Sequence, residues 1–247
     1  MKDKLAIVQN FVIKREERLE TFNRVLPIQK KYFGDCNWYV NYNTSENLGK
    51  VREILEENIE NLHFNNDLTK DYGKIVQNMI KDVKEDYIFI YPADDCVIKG
   101  TVEYLNNLID EFIHYECELM QMTRIDDVTC YGTDKKFFKN YDTRKFLHLV
   151  NSSKWTTQCV SSVSVFEKNF LDEILTFMDD NYYEKNARFH RRTPHSFESF
   201  FQRGNGNWSN KKMDELLRDR QFAIPKKGVL RHEEPTKNGS PIKEDLS

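Results

Sequence analysis

Glycine is scarce in this chain: there are 9 in 247 residues, and none precedes Gly34. A glycine-rich phosphate loop after a first strand is therefore absent, which counts against a nucleotidyltransferase. The five cysteines, Cys36, Cys96, Cys117, Cys130 and Cys159, are scattered, odd in number and contain no C-x-x-C pair. That pattern suggests neither a zinc site nor a disulfide framework, and it fits a reducing cytosol. Long apolar runs are missing too. Leu5-Ala6-Ile7-Val8 gives way to charges from Lys14 onward, too short for a signal-peptide core, and no run reaches membrane-spanning length. The expectation is a cytoplasmic protein with no integral membrane segment. Neither sign of charge is in large excess, with 37 Lys and Arg against 40 Asp and Glu for a net charge of −3, which argues against wholesale coating of nucleic acid. Local basic stretches at Arg188–Arg192 and Lys211–Arg231 leave an anion site open.

What is abundant is core-forming material. Hydrophobic residues make up 39% of the chain, and 17 Phe with 12 Tyr supply bulk for a globular core without cross-links. The most informative stretch is Tyr87-Ile88-Phe89-Ile90-Tyr91-Pro92-Ala93-Asp94-Asp95-Cys96. A short β-rich apolar run bounded by Lys84-Glu85-Asp86 and by Pro92 reads as a buried strand, and it empties into two adjacent acids. In open α/β sheets the carboxyl end of a strand is where ligands bind, and paired carboxylates there are hard-oxygen ligands for a cation that also holds phosphates. The competing role is a solvated turn, since Asp is favoured in turns.

Apolar runs and helical patterns alternate through the first hundred residues. Strands are expected at Leu5 to Val12, Trp38 to Val40, Leu62 to Phe64 and from Tyr87. Helices are expected at Arg15 to Phe33, with a kink or restart at Pro27, then after an N-cap at Thr44 or Ser45, and from about Tyr72 to Val83. This order predicts a parallel sheet with helices on both faces. The second half is less regular, with a helix at Val102 to Tyr115, strands at Leu119 to Met122 and Val160 to Phe166, and helices at Leu171 to Met178, Phe197 to Phe201 and Met213 to Leu217. Residues 1–232 read as a single domain, 1–100 its nucleotide-binding half and 101–232 its acceptor half, with 233–247 a loose tail.

The succession Leu5-Ala6-Ile7-Val8-Gln9-Asn10-Phe11, a charged helix, Asn41-Tyr42-Asn43, and a helix feeding Tyr87 to Asp95 resembles the GT-A fold glycosyltransferases, particularly the family-2-like group. The likeness covers most of the chain, and its specific motif is Ala93-Asp94-Asp95. It implies a three-layer α/β/α fold with a mostly parallel central sheet, a UDP-linked or other nucleotide-sugar donor, and a divalent metal, Mn²⁺ or Mg²⁺, bridging the donor diphosphate. By position, Asp95 would be the metal ligand and Asp94 the ribose or sugar contact. His232, after the short apolar segment Val229-Leu230, resembles the C-terminal histidine that some GT-A enzymes bring over the metal, and His suits Mn²⁺ better than Mg²⁺. Asn10 and Asn43, at the ends of strands one and two, offer amide donors and acceptors to a nucleobase. Lys74, following Gly73 at a helix start, suits a diphosphate. On that helix relatives carry Ala-Arg-Asn, where this chain has Val76-Gln77-Asn78.

For proton abstraction from an acceptor hydroxyl the candidate is Glu198, in His195-Ser196-Phe197-Glu198-Ser199-Phe200, because a carboxylate among aromatics has its pKa raised toward a useful range. Relatives often place Glu-Asp here, and Ser199 stands at the Asp position. A surface ion pair is the competing role for Glu198. Trp155, Arg191 and Arg203 are candidates for acceptor contacts, with core packing and a solvated basic face as their respective alternatives. The acceptor is expected to be a hydroxyl on a glycan or other surface molecule. A hydroxylated DNA base gripped by Arg188-Phe189-His190-Arg191-Arg192 stays open. So does a nucleotide-binding module without transfer activity.

Overall fold

The computed structural model describes residues 3–90, 96–98, 100–122, 141–152, 164–180 and 215–232. At its centre lies β1 (Leu5–Phe11), in which every residue but Asn10 is buried. A continuous apolar run of this kind is what a strand covered on both faces requires. β2 (Asn37–Tyr42) and β4 (Tyr87–Ile90) flank it in parallel, and β3 (Leu62–Asn65) extends the parallel pairing beyond β2. Three helices make the crossovers: α1 (Glu16–Phe33), α2 (Leu48–Asn58) and α3 (Tyr72–Lys81). The alternation expected from the sequence is present element by element.

Two local expectations are corrected. α1 does not restart at Pro27: the helix is continuous across it, Pro27 is exposed, and Leu19, Phe22, Val25, Leu26 and Phe33 bury the opposite face. That buried stripe offsets the lost backbone hydrogen bond of a mid-helix proline. The N-cap position of α2 is Asn47, in the left-handed region (φ 55°), rather than Thr44 or Ser45, and its side chain donates to the Ile13 carbonyl instead of capping the helix. Thr44 is buried and its Oγ1 accepts from Glu46 N at 3.3 Å, so residues 44–47 form a turn before the helix begins, and Asn tolerates the positive φ.

After β4 the chain forms β5 (Cys96–Ile98), α4 (Val102–His114) and β6 (Leu119–Gln121). β7 (Asp142–Thr143), β8 (Leu147–Asn151), β9 (Ser164–Glu167), α5 (Lys168–Asp180), β10 (Gln221–Pro225) and β11 (Leu230–His232) follow. The main sheet has nine strands in the order β3-β2-β1-β4-β9-β6-β10-β8-β7, and β5 pairs with β11 in a separate ribbon. The first four strands in that order are all parallel, whereas β9 is antiparallel to β4 and β6, and β8 to β10 and β7. The sheet is thus parallel in its first half and mixed in its second. One face packs on α1, α2 and α4 through Leu5, Ile7, Trp38, Val40 and Phe89. The other packs on α3 and α5 through Ala6, Val8, Tyr39, Ile88 and Phe166. This is the three-layer α/β/α arrangement.

Side-chain clasps hold the second half to the layer. Glu111 of α4 accepts from the backbone N–H groups of Lys145 (3.0 Å), Phe146 (2.7 Å) and Leu147 (2.9 Å), pinning the β7–β8 turn. Arg220, entering β10, bonds Glu118 and Glu173 at 2.5 Å each and lies 5.0 Å over the Phe170 ring, so β6, α5 and β10 share one cation.

Candidate functional site

Because β1, β2, β3 and β4 are parallel, their carboxyl ends open at one pole of the sheet, and the side chains gathered there are amides. Asn10 and Asn41 are direct cross-strand partners. They share the α3 face with Ala6, Val8 and Tyr39, since strand side chains alternate. Fully buried Asn41 donates through Nδ2 to Asn10 Oδ1 (2.9 Å) and to the Asp67 carbonyl (3.1 Å), and its Oδ1 accepts from Asp67 N (2.7 Å). An amide that donates and accepts in this way welds β1 to the loop after β3. It also assigns Asn10: with Oδ1 occupied, its Nδ2 group is left as a donor at the strand end.

The same loop is gripped twice more. Asn43 Nδ2 donates to the carbonyls of Asp67 (2.6 Å) and Thr69 (2.7 Å), and Asn66 Nδ2 to those of Tyr42 (2.5 Å) and Thr44 (3.0 Å). Asn43 thus spends its N–H groups on the loop, and its Oδ1 is what it can offer a ligand. Held by these bonds, the loop carries Leu68, whose side chain is 53% exposed. A large aliphatic group on a pinned loop beside polar amides offers one apolar face to a flat ligand.

α3 starts directly after this loop. Asp71 Oδ1 accepts from Lys74 N at 3.0 Å, so the helix N-terminus is capped by its own carboxylate, while the Lys74 side chain stays exposed. Gln77, standing where relatives carry Arg, donates to Asp172 (3.2 Å) and Thr176 (3.1 Å) of α5. Its role in this chain is to join the two helices of one layer.

On the opposite face of β1, Gln9 lies between Ile7 and Phe11. It is fully buried, and neither Oε1 nor Nε2 has a hydrogen-bond partner among the described residues. A buried polar group in that condition costs about 1–3 kcal/mol. The last β1–β4 pair is Val8–Ile90, so Gln9 sits one step beyond it, where the chain leaves β4 toward Asp94 and Asp95. The returning chain is placed by β5, in which Cys96 pairs with His232 of β11. Asp94, Asp95, Trp155, Arg191, Glu198 and Arg203 lie outside the described residues.

The structure therefore brings Asn10, Asn43 and the start of the Lys74 helix to one pole, and separately pairs His232 of β11 with Cys96 of β5. Sequence reasoning missed Asn41, Asn66 and Gln9. A signal existed for two of them: a polar residue inside an otherwise apolar strand must find partners or pay for their lack. A separate cleft of about 260 Å³ lies at the other edge of the sheet, beyond β4, β9 and β6, lined among others by Tyr115, Asp142, Arg144, Asn151 and Gln221. Its Arg144 is already paired with Asp142 and stacked 4.8 Å over Tyr115, far from the amide pole.

No protein-family model and no curated protein sequence matches the chain. Solved structures do match. S. aureus TarS 1-349 superposes with a TM-score of 0.56 at 13% identity, covering 92% of this chain and 59% of that one. Its complex with UDP-GlcNAc gives 0.57 at 12% identity, covering 92% and 57%, and the longer TarS structure 0.54 at 14%, covering 92% and 36%. The chain has the GT-A glycosyltransferase fold. It spans less than two thirds of the TarS chains it matches. In the GT-A frame the amide pole belongs to the parallel half of the sheet, the half the sequence resemblance assigns to the nucleotide sugar. The likeness is one of fold, so residue roles are argued from this chain's own geometry.

Proposed function

We propose that this protein is a metal-dependent glycosyltransferase that moves a sugar from a nucleotide diphosphate sugar to an acceptor hydroxyl. Three features support this reading. They are the Asn10–Asn41–Asp67 cradle, the exit of β4 toward Asp94 and Asp95, and the β5–β11 pair that sets His232 opposite Cys96. The cradle is neutral and leaves the Asn10 Nδ2 donor and the Asn43 Oδ1 acceptor for a ligand, which suits the mixed donor and acceptor edge of a nucleobase; Leu68 supplies an apolar face for its ring. A UDP-sugar is the donor to test first, given the fold shared with the TarS structures that hold UDP and UDP-GlcNAc.

Asp95 and His232 are the residues assigned to the metal, Asp94 and Lys74 to the sugar and diphosphate, and Asn10 and Asn43 to the nucleobase. An oxygen ligand from Asp with a His nitrogen favours Mn²⁺ over Mg²⁺. When bound, such an ion neutralises charge on the departing diphosphate. Transfer joins the acceptor oxygen to the anomeric carbon, breaks the bond from that carbon to the diphosphate, and delivers the hydroxyl proton to a base, for which Glu198 is assigned. Trp155, Arg191 and Arg203 belong to the acceptor side, and a glycan or other surface molecule is the acceptor class. Among the described residues no helix is long and apolar enough to cross a membrane.

Glu198→Gln tests the catalytic half. It should abolish transfer while leaving the dissociation constant for the nucleotide sugar within about twofold. Retained full transfer would remove Glu198 from the base role.

A further inference from the structure

The cleft of about 260 Å³ at the far edge of the main sheet lies where one face of β8 and β10 changes from apolar to polar. On that face Leu147, Leu149 and Ala223 share a core with Leu108 and Phe112 of α4. α4 ends at His114, and the next pair along the two strands is Asn151 opposite Gln221. Strand side chains alternate, so both amides stand on the face of Leu149, and both are half-buried. Gln221 Nε2 reaches the Phe222 carbonyl at 3.4 Å, the long limit of a hydrogen bond, so its amide is only loosely engaged. Tyr115, just past α4, and the Asp142–Arg144 ion pair wall the cleft, with the guanidinium 4.8 Å over the Tyr115 ring. A guanidinium held by a carboxylate and a ring loses little further freedom when a ligand arrives.

The lining selects the ligand by its chemistry. An anion would meet a cation already neutralised by Asp142, and a metal ion would meet a single carboxylate among the lining residues. The size suits one ring, since cavities for larger ligands run from about 300 to 1,000 Å³. A pyranose both donates and accepts at several adjacent hydroxyls while its C–H groups stay apolar. Asp142 can accept from it, Arg144 can donate to it, Gln221 can do both, and Leu149 lies under the ring. We propose that this cleft is a carbohydrate-binding site that holds one neutral hexose unit of a glycan. It is separate from the donor pole in direction as well as in position. β10 is parallel to β6, and β6 and β4 are both antiparallel to β9, so β10 runs with β4. Gln221 begins β10 and therefore lies at the end of the sheet opposite to Asn10 and Asn43. The sugar held there is not the one transferred; it tethers the protein to a polymer, and the proposal does not rest on the donor-site reading.

The test is a ligand-observed NMR titration of the full chain with maltose, cellobiose, lactose and N,N′-diacetylchitobiose, in a chelator and without nucleotide sugar. Wild type should bind at least one of them with a millimolar dissociation constant, as a single small polar site does. Arg144→Met and Gln221→Ala should each weaken that binding by about tenfold, and Gln221→Ala carries the test should the Tm show that Arg144→Met folds poorly. Asp95→Ala should bind the saccharide as wild type does. Binding of none of the four overturns the proposal, and so does binding that the folded variants keep in full. Loss of binding in Asp95→Ala would place the saccharide at the donor pole and overturns it too. Inorganic phosphate is the competing probe: phosphate that displaces the saccharide and depends on Arg144 makes the cleft an anion site, which also overturns it. Failure of the donor-site reading would show in nucleotide-sugar binding alone and would leave these outcomes unchanged.

Discussion

His232 lies directly opposite Cys96 in the antiparallel β5–β11 pair, and the residue preceding Cys96 is Asp95. Two positions 137 apart in sequence, Asp95 and His232, are thereby joined through a single backbone pairing. Any metal role for the pair depends on that ribbon, which is paired separately from the main sheet, while just beyond β5 the Tyr32–Gly100 hydrogen bond joins the chain to α1.

The Asn41 bridge should matter both to folding and to ligand binding. Asn41→Ala removes three hydrogen bonds and strands the Asp67 N–H in a half-buried loop. A loss of about 2–4 kcal/mol follows, seen as a fall in Tm on the order of 5–15 °C for a chain of this size. Donor affinity should fall with it. An unchanged Tm would mean that the loop after β3 does not depend on the bridge.

Glu111 gives the opposite pattern. Its carboxylate accepts three backbone N–H groups from the β7–β8 turn, so Glu111→Gln turns an amide N–H₂ toward donors. Urea unfolding should register a loss of about 1–3 kcal/mol. Donor affinity should stay unchanged, because the clasp lies in the half of the sheet away from the amide pole. Weakened donor binding in this variant would show the two halves to be coupled.

Stability should also carry a pH signature from His148. Burial, and then the Lys226 ammonium, hold its imidazole below the ordinary value of 6.5, with Nδ1 3.1 Å from Thr143 Oγ1. As pH falls the unfolded chain takes up this proton before the folded one does. The contribution is therefore complete above about pH 6.5 and is lost as pH drops through the lower folded-state value. Tm of wild type and His148→Gln should converge as pH is lowered from 8 to 5; a difference that stays constant would contradict this.

The first half of the fold was legible because each element there is announced by its own residues. Leu5–Phe11, the Leu19-Phe22-Leu26 stripe and the Tyr87–Ile90 run are apolar at spacings that admit one reading each. β7, β8, β10 and β11 were missed because strands of two to five residues gain their identity from partners far away in sequence, as Gln221 does from Asn151. The site shows the same division. Asn10 and Asn43 stand at recognisable strand ends, whereas Asn41 acquires its role from register, since the Asn10–Asn41 pairing exists only once β1 and β2 are aligned. The exposed part of Asn43 differs from expectation for a similar reason: the Asp67 and Thr69 carbonyls that occupy its N–H groups come from a loop after the next strand.

The central claim is that the pole formed by β1 to β4 is a nucleotide-sugar and metal site centred on Asp95. Its most direct test is a thermal-shift titration of wild type and Asp95→Ala with a panel of nucleotide sugars, with and without Mn²⁺. The account predicts that at least one nucleotide sugar, with Mn²⁺, raises the wild-type Tm by several degrees and leaves Asp95→Ala close to its unliganded value. Stabilisation of neither protein by any member of the panel, or equal stabilisation of both in Mn²⁺, would contradict it.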